Sequence, residues 1–85
     1  MKLQAEYAAT LQAYKDRFTV AQIEEYTQNV KAQGGYSSLE TRIAWDMIHA
    51  AVGASAICGW YDKYNANDTH VTTLALRVYN DFMVA

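Results

Sequence analysis

From Ile43 to Tyr61 the chain reads IAWDMIHAAVGASAICGWY, a run whose only Asp, Glu, Lys, Arg or His residues are Asp46 and His49. A helix this apolar cannot present one face to a core and the other to water, so it is expected to be covered nearly all round. In a chain of 85 residues such a segment becomes the element on which the others pack. Its length approaches the roughly 20 residues of a membrane span. Asp46, His49 and the many alanines make insertion unfavourable, and no basic flank follows. The segment therefore reads as a buried helix of a water-soluble protein, with no membrane partner.

The flanking sequence supplies further helices. Leu3, Tyr7, Leu11, Tyr14 and Phe18 recur at helical spacing, with Ala5, Ala8, Ala9 and Ala13 adding propensity. Thr19-Val-Ala-Gln22 has the spacing of a capping box and opens a second helix with Val20, Ile23, Thr27 and Val30 on its core side. Glu24 and Glu25 fall in early turns, where the helix dipole favours acids. Gly34 suits the position that ends it. Ser37-Ser-Leu-Glu40 reads as a second capping box, starting the central helix. Gly53 or Gly59 is where that helix would break, unless it runs on to Tyr64. After the Asn65-Ala-Asn67-Asp68 turn cluster, Val71, Leu74, Val78 and Phe82 fit a helix, whereas Leu74, Leu76 and Val78 alternate like a strand. Length and the absence of any partner strand favour helix. The expectation is an all-α, single domain over residues 1–85, a compact bundle of about four helices around a central apolar helix at about 38–58.

The chain is 52% hydrophobic and 13% aromatic, with charged residues at 19% against a usual value of about 25%. A domain this small has much surface for its volume, so some apolar material is expected outside, covered by a second copy or another protein. The net charge is −2 and the seven Lys and Arg residues are dispersed. A nucleic-acid binder needs them clustered to displace counterions from phosphates. The mild acidity suits a partner with a basic surface. A single cysteine, Cys58, excludes an internal disulfide and fits a reducing, cytoplasmic setting. The start of the chain lacks a signal-peptide core, being interrupted by Gln4 and Glu6.

No residue pattern carries catalysis. Asp46 and His49 share a helix face three positions apart, and His70 joins them only through the fold. Together they form the alternative reading, a metal-dependent or acid–base site. The simpler reading pairs Asp46 with Arg42 and leaves His49 partly buried and locally bonded. Cys58, late in an apolar segment and away from any helix start or basic neighbour, reads as a core residue. The Asp62 to His70 stretch lacks calcium-loop ligand spacing. Gly34-Gly35 lacks the strand, lysine and hydroxyl of a phosphate loop. No cofactor site is expected. Thr19-Val-Ala-Gln-Ile-Glu resembles the opening of a helix-turn-helix only superficially. The following helix offers Arg42 alone among groups able to read bases.

The residues that stand out are aromatic. Trp60, Tyr61 and Tyr64 sit beside a polar turn carrying Asp62 and Asp68, and Tyr36 follows the glycine pair. Trp and Tyr bury large areas while keeping a polar tip, which makes them frequent anchors of protein interfaces. Tyr36, Trp60, Tyr61, Asp62, Tyr64 and Asp68 are accordingly the candidate partner-binding set. The expected function is that of a small non-enzymatic protein-binding module. One concrete form is an inhibitor covering a basic site on its partner, as phage and mobile-element proteins do.

Overall fold

The computed structural model describes residues 2–35 and 37–84. Its regular structure is helical throughout: a 3-10 turn at Gln4–Glu6, then α1 (Tyr7–Arg17), α2 (Val20–Gln33), α3 (Leu39–Val52), α4 (Ala54–Tyr64) and α5 (Asp68–Val84). The all-helical expectation holds, but the helix count rises to five because the apolar middle of the chain is two helices. Gly53 is the whole joint. Its N–H donates to the His49 carbonyl at 2.9 Å, closing α3, and its carbonyl accepts from the Ile57 N–H at 3.4 Å, opening α4. Its φ of 87° and ψ of 158° lie in a region that essentially only glycine occupies. Gly59, by contrast, is simply helical within α4.

The other helix boundaries follow local chemistry. Thr19 Oγ1 accepts from the Gln22 N–H at 3.1 Å while Gln22 Oε1 accepts from the Thr19 N–H at 2.9 Å, completing the expected capping box. Gly34, at φ 70°, ends α2 as expected. The cap of α3 is shifted by one residue from its expected place. Ser38 is the cap, accepting from the Thr41 N–H at 3.4 Å, and Glu40 falls within the first turn, placed to favour the dipole. Residues 68–84 are helix. Val71, Leu74, Ala75, Val78 and Phe82 are all buried at helical spacing, and Leu76, which suggested a strand alternation, is half-buried to one side.

The core is built from Tyr14 of α1, Ile23 and Val30 of α2, Ile43, Ala44, Met47, Ile48 and Ala51 of α3, Ile57 and Trp60 of α4, and the α5 row. Leu3, ahead of the 3-10 turn, is also fully buried. The helix α3 packs on α5 and α1, which also pack on each other, while α4 and α2 rest mainly on α3. That last arrangement corrects the expectation of all-round burial for residues 43–61. His49 and Ala50 of α3 are exposed, and so are Ala54, Ser55, Cys58 and Gly59 of α4, which is covered mainly from the α3 side. Apart from the polar His49 ring their side chains are small, so each wets little apolar area. Cys58 is thus a surface thiol and not a core residue. Among the described residues Val84 is the one large hydrophobic side chain left mostly open, at 84%.

Polar side chains join the helices at defined points. The Trp45 indole N–H donates to Thr72 Oγ1 at 2.8 Å, linking α3 to α5, and the buried Tyr14 hydroxyl donates to the Ala44 carbonyl at 3.4 Å, linking α1 to α3. Tyr14 also meets Phe18 and Phe82 edge-to-face, with ring centroids 5.6 and 5.9 Å apart.

A Cβ placed on Gly53 would meet no atom within 4 Å. The cost of Gly53→Ala is therefore one of backbone conformation alone. It is expected to destabilise the fold by about 1–3 kcal/mol, read as a lower midpoint in urea with an unchanged denaturant slope.

Candidate functional site

The last turn of α4, the turn that follows and the first turn of α5 bring together most of the candidate residues. Trp60 points inward and is 7% exposed. Tyr61 is half-buried and its hydroxyl donates to Asp68 Oδ1 at 2.5 Å, tying α4 to the start of α5. Tyr64, also half-buried, reaches back along the chain and donates to Glu6 Oε1 at 2.5 Å. Asp62 is exposed, and so is Asp68 apart from its bond to Tyr61. Tyr36 lies outside the described residues. The set thus divides into an inward anchor (Trp60), two rings held by carboxylates, and two exposed acids.

The backbone between these helices is fixed by its own polar groups. Asn65 adopts the left-handed conformation, φ 52° and ψ 42°, and ends α4; an asparagine tolerates that geometry better than most residues. Its carbonyl accepts from Lys2 Nζ at 3.2 Å. Asn67 precedes α5, and its Oδ1 accepts from the His70 N–H at 3.2 Å while His70 Nδ1 accepts from the Asn67 N–H at 3.0 Å. This is a capping box with histidine in the position usually held by Glu or Gln. Within the expected turn cluster Asn67 is therefore the cap, whereas Asp68, which invited the same role, is the first residue of α5 and its carboxylate accepts from Tyr61. Lys63 lies over the Tyr64 ring, 5.1 Å from its centroid, within reach of a cation–π attraction. Tyr61, Ala66, Asn67, Asp68 and Thr69 line an open cleft of about 400 Å³.

A phenol donating to a carboxylate resists ionisation, because the resulting phenolate would lose the bond and face a like charge. The hydrogen bond to Asp68 is the main reason that the Tyr61 phenol is pushed up to about 12, with burial and the Asp68 charge adding to it. Tyr7 and Tyr26 are raised by the same cause, through their bonds to Asp81 and Asp46. Tyr14 is raised by burial.

Asp46, His49 and His70 have separate engagements. Asp46 Oδ2 accepts from Arg42 Nε at 2.7 Å and from the Tyr26 hydroxyl at 2.6 Å, which bears out the expected Arg42 pairing. His49 is exposed and stacks on Trp45, centroids 5.6 Å apart, so the expectation of partial burial fails there. His70 is occupied with the cap of α5. Among the described residues no group of three or more His, Cys, Asp or Glu side chains is placed to hold a metal ion. The helix that would enter a DNA groove in the helix-turn-helix reading is α3, which packs against α1, α2, α4 and α5. No helix among the described residues is long and apolar enough to cross a membrane.

A second cleft, of about 380 Å³, runs between α2 and the α1–α3 body, with Phe18, Ile23, Tyr26 and Met47 among its walls. Sequence reasoning missed it, and missed the tyrosine–carboxylate bonds. Partners 58 and 74 residues apart, as in Tyr64–Glu6 and Tyr7–Asp81, leave no periodic signal. Tyr61–Asp68 spans only seven residues across a turn and was the one pair open to a local argument.

No protein-family model, curated protein or solved structure matches the chain.

Two measurements check this description. Unfolded tyrosines ionise near pH 10, so above that pH the unfolded chain releases protons that the folded one retains. Stability is therefore expected to be at its full value below about pH 10 and to fall as the pH rises toward about 12, read by urea melts across that range. Cys58, exposed in the fold, is expected to react fully with a thiol reagent without denaturant. A thiol that reacts only after unfolding would contradict its placement.

Proposed function

We propose that the protein is a non-enzymatic binding module that docks on another protein through the corner where α4 meets α5. The observation that supports this reading is the held aromatic–acidic surface at that corner. Tyr61 walls an open cleft and is fixed by Asp68, with Asp62 exposed one residue further on. A ring already held in one orientation loses little side-chain freedom on association, which favours its use as an anchor. The exposed carboxylates would meet a basic surface, adding speed of encounter and orientation more than affinity. In its concrete form the module covers a basic functional site on its partner and so blocks it, the mode of action of many phage and mobile-element accessory proteins. Trp60 and Tyr64 support the corner from within, and the surface acids Glu24 and Glu25 of α2 lie on a different helix.

The reading is tested with the protein as bait in lysate of its own cell or of a host cell. One specific protein is expected to be retained by the wild type and by Gln28→Ala, an exposed change on α2. Tyr61→Ala and Asp62→Lys are expected to weaken retention by tenfold or more, as interface anchors and charge reversals do. Retention that is equal for all four proteins, or absent for all four, refutes the proposal.

A further inference from the structure

The helix α2 is lightly attached for its length. Of its fourteen residues only Ile23 and Val30 are buried. Like α4 it rests mainly on α3, whereas α1, α3 and α5 pack mutually. The Tyr26 hydroxyl ties it to α3 by donating to Asp46, which Arg42 holds in place from the same helix as Asp46. Short non-helical connections bound α2: Phe18 and Thr19 before it are extended, at φ −128° and −109°, and Gly34 and Gly35 after it are at φ 70° and 86°. Along it runs an open cleft walled by Phe18, Ile23, Tyr26 and Met47 together with the exposed Gln22, Glu25 and Asn29 of α2 itself.

We infer that α2 is a latched flap, which opens as a unit along this cleft while α1, α3, α4 and α5 stay folded. The latch is Tyr26 on the Asp46–Arg42 pair. Few buried side chains, a polar tie centred on one residue and an open cleft along the helix are features that place a segment at the low end of a protein's range of local opening free energies. Opening uncovers Ile23, Val30 and Met47, three apolar side chains that are buried in the closed form.

Native-state amide exchange in low denaturant tests this, because it separates local from global opening. The amides of 24–33 are expected to exchange at least a hundredfold faster than the slowest amides of α5. Their rates are expected to depend less on denaturant, since opening α2 exposes less surface than unfolding. Tyr26→Phe breaks a bond lost in both the open and the unfolded state, so it is expected to speed both sets, by about tenfold for a charge-assisted bond. Tyr7→Phe breaks the bond to Asp81 that joins α1 to α5, which survives opening of α2. It is expected to speed the slow α5 amides and leave those of α2 unchanged. Val71→Ala, in the buried α5 row, serves the same purpose with a larger effect. If Tyr7→Phe or Val71→Ala speeds α2 and α5 by the same factor, α2 opens only when the whole molecule unfolds and the inference falls.

Discussion

Everything in this molecule leans on the seam between α3 and α5. The two helices present apolar rows to a shared core, Ile43, Ala44, Met47, Ile48 and Ala51 on one and Val71, Leu74, Ala75, Val78 and Phe82 on the other. Burial of such rows is the dominant favourable term in folding, worth about 1.5–3 kcal/mol for each large side chain wholly removed from water. Tyr14 of α1, with Leu3 from ahead of the 3-10 turn, closes the seam from a third side, while α2 and α4 are additions to α3. A chain this short can cover one central helix well. It cannot cover two, and the exposed flank of α4 is the result.

The aromatic side chains serve the same end. Tyr7, Tyr26, Tyr61 and Tyr64 each donate a hydroxyl to a carboxylate on another element. Each ring adds apolar area at the margin of the core, and each hydroxyl finds an ionised acceptor, the stronger kind of hydrogen bond. This is how a chain rich in tyrosine keeps its rings from forming an open apolar patch. The acids involved, Glu6, Asp46, Asp68 and Asp81, are committed to internal ties. The surface charge available to an approaching molecule is left to others, Asp62 among them.

Local physics was legible in the sequence and distant pairing was not. The helical faces of α1, α2 and α5, the Thr19 box, the Gly34 stop, the Asn67 cap and the Arg42–Asp46 pair all depend on residues within a turn or two. The break at Gly53 was one of two glycines that spacing could not tell apart. Only the neighbouring helices decide which glycine must take the unusual backbone angle. Cys58 and His49 were misplaced for a related reason. An apolar run implies burial, yet how much of it is covered depends on how many other helices reach it. At the candidate site the residue types were readable, while the partners of Tyr61 and Tyr64 came from folding α4 back toward α5 and the start of the chain.

The joint at Gly53 has a mechanical side. Two helices connected through one residue have no slack loop between them, so a single pair of dihedral angles sets the heading of α4. Its 11 residues make an arm about 16 Å long at 1.5 Å per residue. A swing of about 10° at the pivot would carry the far tip by about 3 Å, enough to part the Tyr61 hydroxyl from its carboxylate. The acidic corner therefore inherits its aim from a hinge pin at the opposite end of the rod.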